Sequence, residues 1–303
     1  LNKKRFTIIL LVILVGFLIL KAPPATLLSK GEFVAYRGGG QNINYAQMKN
    51  TSCGSENLIP SNNKYIENTL PAIKQSIDAG FDIIHLNVHY TRDNHFAVFH
   101  DATVDCATNS KGKVAKMTLS QLQLLDVGFN ATFDDGKNFP FRNKGYRIPS
   151  LKEVFNIYPK QEFWLNLKNP NKYSIPALNQ LVKSSDTLHK NKLLFIGNTL
   201  MIDTYKKINP EAKVLSFRSN KQCFIDYILY GWSHFFPDSC KNTHIFVPPE
   251  KGKYIWGWPA QFAAIAQQNG SKVYAWTKHN KHKKQYNYTN QGIGLVTGDI
   301  ANF

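Results

Sequence analysis

His85, Asn87, His89 and His100 stand close together in the chain, the last of them followed by Asp101. Side chains alternate between the faces of an extended strand, so His85, Asn87 and His89 share one face, with His100 just beyond. Imidazoles in such a group can exchange protons near neutral pH or hold a softer ion such as Zn²⁺. Same-face residues lie roughly 6.6 Å apart along a strand, so His85 and His89 together would strain one coordination sphere. The other reading is a row of hydrogen-bonded polar residues lining a pocket. Glu67 is open in the same way: a carboxylate near this chemistry, a partner for Arg37, or part of a helix cap in Glu67-Asn68-Thr69. Trp276 closes an apolar run and either lines a pocket or packs.

The elements that must position these residues follow a regular alternation. Short apolar runs rich in β-branched and aromatic residues occur at 33–36, 81–89, 163–167, 192–196, 213–217, 232–236, 272–276 and 294–297. Helical patterns intervene at 68–79, 175–184, 200–208, 221–230 and 259–269, and Gly80 and Gly270 stand where a helix C-terminal glycine is expected. This is the signature of a parallel α/β architecture. Eight strands predict a (β/α)8 TIM-type barrel, and 303 residues suit one such domain of roughly 250 residues plus extras. The connections at 37–66 and 90–162, after the first and second strands, exceed ordinary loops and are expected to wall a site at the strands' C-terminal ends.

Several separate motifs stand in a telling order: Ala35-Tyr36-Arg37-Gly38-Gly39-Gly40, Ile66-Glu67-Asn68-Thr69-Leu70, Asp82-Ile83-Ile84-His85-Leu86-Asn87-Val88 and Val98-Phe99-His100-Asp101-Ala102-Thr103. Together with FHDATVDCATNSKG at 99–112, Pro149-Ser150-Leu151, the 164–168 run, Trp256-Gly257-Trp258-Pro259 and Thr297-Gly298-Asp299, the series resembles the glycerophosphodiester phosphodiesterase family from about residue 33 to the C-terminus. The resemblance implies metal-assisted hydrolysis of a glycerophosphodiester, with a divalent ion (Ca²⁺ or Mg²⁺) neutralising the phosphate and two histidines as acid and base. It implies phosphate-binding roles for Arg37 and Lys168 and makes His100 the second histidine. The first histidine is Tyr36 here, and a phenol, which ordinarily ionises near pH ~10, can donate a proton but is a poor base at neutral pH. The family's Glu-x-Asp metal pair is His85-Leu86-Asn87, and a further acidic position is Asn166. A hard cation prefers anionic oxygen, so the metal site the resemblance implies is weakened or absent at His85 and Asn87.

Two readings of function follow. One is a divergent phosphodiesterase using His100 with Tyr36 on glycerophosphodiesters or lysophospholipid-like headgroup esters. The other is a catalytically inactive phosphoester- or headgroup-binding or interaction protein that keeps the barrel, Arg37 and Lys168.

Targeting and charge bound the compartment. Lys3, Lys4 and Arg5 precede an uncharged run from Phe6 to Leu20, closed by Lys21 and Pro23-Pro24. This predicts an N-terminal membrane-anchor helix and linker over residues 1–30, ahead of a barrel domain at 31–303. The alternative is a signal peptide that is cleaved for secretion. The basic flank places the folded domain outside the cytoplasm. Four cysteines suit that compartment; of the three possible pairings, Cys53–Cys106 with Cys223–Cys240 staples neighbouring loops. The net charge is +17, and without the first 30 residues 32 basic side chains still face 20 acidic ones, a net +12. Such a field favours an anionic ligand such as a phosphodiester or phospholipid headgroup. The basic residues are scattered except at 278–284 and no nucleic-acid motif accompanies them, so no nucleic-acid partner is expected.

Overall fold

The computed structural model describes residues 3–20, 26–44, 47, 53–168, 170–185, 188, 192–276 and 287–301. The expected linker residues Lys21 and Pro23-Pro24 and the basic run at 278–284 lie outside them. The described residues form two compact units. The larger comprises those within 32–217 and 296–301, the smaller those within 3–31, 218–276 and 287–295.

The first helix, α1 (Lys3–Leu20), belongs to the smaller unit and exposes large apolar side chains, Ile8, Val12 and Ile13 each by more than half. Its uncharged run of 15 residues spans ~22 Å against the ~30 Å of a bilayer's hydrocarbon core. Among the described residues no helix is long and apolar enough to cross a membrane. The spanning role expected for this segment therefore gains no support from the structure.

The larger unit is built on parallel strands in the order β8-β7-β6-β4-β1. In the chain these are β1 (Phe33–Ala35), β4 (Ile83–Tyr90), β6 (Glu162–Lys168), β7 (Leu193–Gly197) and β8 (Lys213–Ser216), with α2 (Leu70–Asp78), α5 (Ser174–Ser184) and α6 (Thr199–Ile208) between them. The period-two pattern sorts the side chains. Ile84, Leu86 and Val88 of β4, Phe163, Leu165 and Leu167 of β6, and Leu193 and Phe195 of β7 join one core with Ile73, Leu178, Met201 and Tyr205 of the helices. The alternate positions of β4 and β6 are His85, Asn87 and His89, and Trp164, Asn166 and Lys168, so the polar residues necessarily share the opposite face.

The two long connections are not loose. Asn42–Ile43 (β2) pairs antiparallel with Leu58–Ile59 (β3), and Phe96–Val98 (β5) returns antiparallel along β4. These short strands were not legible in the sequence. With α3 (Leu119–Gln123), held by a Thr118–Gln121 capping box, the connections enclose a second core that includes Ile43, Leu58, Ile66, Phe99, Val104, Leu122 and Ile148. A further short helix, α4 (Leu151–Ile157), is capped by Ser150 and packs into the main core.

In the smaller unit α7 (Phe217–Tyr230) precedes β9 (His244–Val247), which pairs parallel with β10 (Lys272–Trp276) across α8 (Ala260–Gln268). A short helix, α9 (Asn287–Asn290), leads into β11 (Ile293–Thr297), the neighbour of β10, whose first three residues belong to this unit. The strand expected at 232–236 is a correction: Gly231–Ser233 is a 3-10 turn, His234 has φ +63, and the strand lies instead at His244–Val247. The aromatic residue that suggested a strand there, Phe236, serves a ring cluster with Tyr227 and Phe262. Cys223 of α7 is bonded to Cys240 and Cys53 to Cys106, the pairing expected.

Candidate active site

The site is assembled within the larger unit from the polar face of β4, the end of β1 and the two connections. After β1 the chain turns sharply through Tyr36–Gly38, with Arg37 in the left-handed region at φ +57. For a residue with a Cβ this conformation costs on the order of 1–3 kcal/mol, and surrounding contacts must hold it. The Arg37 amide donates to His85 Nδ1 at 3.2 Å, and its carbonyl accepts from the Asn68 amide at 2.7 Å. One guanidinium nitrogen donates to both oxygens of Glu67, at 3.0 and 2.9 Å. Glu67 is thus an ion-pair partner, and Thr69 rather than Glu67 stands at the N-cap of α2.

Gly40, at φ +129, explains how this pair comes so close. A Cβ there would sit 2.5 Å from the Glu67 amide nitrogen, so only glycine lets the strand exit pass against Glu67. Gly54 has a similar duty, since a Cβ on it would lie 2.7 Å from Glu67 Oε1. The Cys53–Cys106 bond ties the Gly54 segment to the loop after His100, and the Gly54 amide donates to Asp101 Oδ2 at 3.3 Å.

His100 and Asp101 share a 2.6 Å hydrogen bond through Nδ1 and Oδ1. With Nδ1 donating to the carboxylate, Nε2 of the neutral ring is left as an acceptor. Burial depresses the His100 pKa below the ordinary value, Asp101 opposes this, and the charge of Arg37 adds to the depression. The ring is therefore neutral at neutral pH. Burial pushes the Asp101 carboxyl up, but the hydrogen bond and charge of His100, the Gly54 amide and Arg37 together hold it below its usual range. Asp101 was not singled out from the sequence, although its position directly after His100 was the available signal. A cleft opens here, lined by Gly54, Ser55, Glu67, Asn68, His100 and Asp101.

Lys168 lies beside His89 in the register of β6 and β4. Burial lowers its pKa, with the charge of Arg37 adding and Glu67 and Asp101 opposing. Its charge in turn acts on His85, His89 and His100, which places it in the same electrostatic neighbourhood. Tyr36 stacks on His85 with ring centroids 4.8 Å apart, and the Arg37 guanidinium stands 5.2 Å from the Tyr36 ring centroid.

Among the described residues the arrangement that would hold a softer ion is not formed. His85 Nδ1 faces the Arg37 amide and His89 Nε2 the His100 carbonyl at 3.3 Å. Among the described residues, the one set of three His, Cys, Asp or Glu side chains with ligand atoms mutually within 4.8 Å is Cys53, Glu56 and Cys106, whose sulfurs are a disulfide. Trp276 is a half-buried residue at the end of β10, in the smaller unit. The structure thus brings together Tyr36, Arg37, Glu67, Asn68, His85, Asn87, His100 and Lys168.

Residues 54–299 match the model of the Glycerophosphoryl diester phosphodiesterase family. The chain is 32% identical over 152 residues to a glycerophosphodiester phosphodiesterase of Caldanaerobacter subterraneus, covering 49% of this chain and 59% of that one. It spans, then, about three-fifths of that relative's length. Among solved structures it is similar to the glycerophosphoryl diester phosphodiesterase domain of a Mycobacterium tuberculosis protein, with a TM-score of 0.66 at 17% identity over 90% of this chain and 98% of that one. It is also similar to an Oleispira antarctica phosphodiesterase in complex with the product sn-glycerol-3-phosphate, with a TM-score of 0.54 at 19% identity over 90% and 95% of the two chains. At these identities the structural likeness shows the fold, a TIM-type α/β architecture. A family match over most of the sequence and a fold shared over nine-tenths of it agree: the chain belongs to the glycerophosphoryl diester phosphodiesterase family.

Proposed function

We propose that the chain hydrolyses a glycerophosphodiester or a related phospholipid headgroup ester, with His100 as the proton carrier. The observation that carries this reading is the half-buried His100, oriented by Asp101 at 2.6 Å, at a cleft within reach of the charges of Arg37 and Lys168. In the reaction, Nε2 of His100 takes the proton from the oxygen attacking phosphorus. The bond from phosphorus to the alcohol breaks, and the departing alkoxide receives a proton, for which the Tyr36 phenol is the candidate donor. Lys168 supplies most of the positive charge an anionic reacting group requires, with a smaller share from Arg37, which is paired with Glu67. The reading of a non-catalytic binding module has less behind it, because anion binding alone has no use for a carboxylate-oriented neutral histidine.

Members of this family generally hold a divalent metal ion, and we infer that a hard cation fits this chain's residues poorly. The family's two acidic positions are His85 and Asn87, the ring of the first accepts a backbone hydrogen bond, and the nearby Glu67 carboxylate is bound to Arg37 through both oxygens. The exposed apolar α1 behind three basic residues, and two disulfides, support a domain that works outside the cytoplasm beside a lipid surface.

The test is incubation of the full chain with glycerophosphocholine, glycerophosphoethanolamine and lysophosphatidylcholine. Release of the headgroup alcohol from at least one is expected, falling by about 10² to 10⁴ in His100→Ala. No release from any of them overturns the reading.

A further inference from the structure

Asn87, at the centre of β4, is fully buried, and neither Nδ2 nor Oδ1 of its side chain has a hydrogen-bond partner. Asn68, 1% exposed and lining the cleft beside His100, has Nδ2 without a partner as well. Its orientation is fixed: Oδ1 accepts from the Asn87 backbone amide at 3.2 Å, which leaves Nδ2 as the free donor. Asn68 also holds φ +56, a conformation asparagine tolerates, with its amide on the Arg37 carbonyl. Buried polar groups are nearly always paired, and two adjacent amides left unpaired, Asn68 lining the cleft and Asn87 buried next to it, call for a ligand that pairs them.

That ligand's chemistry follows from the donors. Amide N–H groups pair with an oxygen acceptor, and the electrostatic influence of Lys168 makes an anionic oxygen the better one. Arg37 contributes less free charge, because Glu67 neutralises it at 2.9 Å. A hard cation, which prefers anionic oxygen, would find only neutral amide oxygens here, at Asn87 and its register partner Asn166.

We propose that Asn68 and Asn87, with Lys168, form a metal-independent cradle for the phosphate oxygens of the bound ester, where a divalent ion would otherwise stand. This rests on the phosphodiesterase reading for the identity of the ester, while the cradle itself is tested by binding and not by turnover.

The experiment is calorimetric titration of the full chain with sn-glycerol 3-phosphate and with inorganic phosphate, in chelator and then with excess Ca²⁺ or Mg²⁺. The expected result is binding of the organic phosphate of equal affinity in all three conditions. Asn87→Ala and Asn68→Ala each weaken it about 10-fold in chelator, as loss of a hydrogen bond to a charged group should. Asn87→Asp loses affinity in chelator by a similar factor and regains it when the divalent cation is added. Binding by the unmodified chain only in the presence of a divalent ion, no binding in any condition, or full affinity in both alanine variants overturns the cradle. Should a variant fail to fold, the unmodified chain with and without chelator still decides. If hydrolysis occurs without this binding pattern the cradle alone falls, and if the anion binds as expected without hydrolysis the enzymatic reading alone falls.

Discussion

The Asp101 carboxylate on Nδ1 leaves His100 a single acceptor nitrogen, and burial keeps that nitrogen free of a proton. The same burial acts on His89, whose pKa is lowered to about 4. The sign of the consequence for stability is definite. In the unfolded chain His89 takes up a proton as pH falls below about 6.5, while the folded chain resists until about 4. Its contribution is therefore complete above pH ~6.5 and is lost progressively down to pH ~4, a change on the order of 3 kcal/mol from this residue. His85, also pushed well below its ordinary value by burial and by Lys168, acts in the same direction. Urea unfolding at pH 7.5 and pH 5 should show lower stability at pH 5, with a smaller difference in His89→Gln; equal pH dependence in the two proteins would contradict this origin.

At the scale of elements, the strands that carry the site were legible because burial on both faces leaves near-continuous apolar runs, broken where β4 shows His85, Asn87 and His89 and β6 shows Asn166 and Lys168. The short pairs β2–β3 and β5 were not, since two- and three-residue strands carry no periodicity and form because distant segments meet over the second core. The strand at His244–Val247 was hidden behind the more aromatic 232–236, whose rings serve packing rather than a sheet. The role of Asp101 was not legible, because what a carboxylate does depends on its hydrogen bond, which spacing does not reveal. The Cys53–Cys106 bond joins the two connections across 53 residues, and closing a loop of that length in the unfolded chain is worth up to about 4 kcal/mol. It also sets Gly54 against Asp101 and Glu67. Replacing both cysteines by serine is expected to lower the unfolding midpoint and to reduce turnover beyond any loss of folded protein. Unchanged turnover per folded molecule would show that the bond serves stability alone.

For the whole molecule, the proposed lipid-surface setting makes a net charge of +17 and the exposed apolar side chains of the helix that begins at Lys3, Lys4 and Arg5 the two features to test against an anionic lipid surface. Binding of the full chain to vesicles containing anionic lipid should weaken with added salt and fall in the double variant Ile9→Asp with Ile13→Asp. Equal binding by that variant would assign the attraction to charge elsewhere. The family and its fold were recoverable from ordered motifs, whereas the state of the site was not: His85 and Asn87 are visible as substitutions, but that Glu67 is tied to Arg37 and the Asn87 amide unpaired depends on packing.

In the proposed reaction, hydrolysis runs through His100 with amides and lysine, not a divalent ion, facing the phosphate. It is tested most directly by the rate at which chelator-dialysed full chain cleaves glycerophosphocholine, measured beside His100→Ala in the same buffer. Turnover that persists in chelator and falls by about 10² to 10⁴ in the variant is the predicted result. Turnover that appears only after Ca²⁺ or Mg²⁺ is added, or that survives the loss of His100, would contradict it.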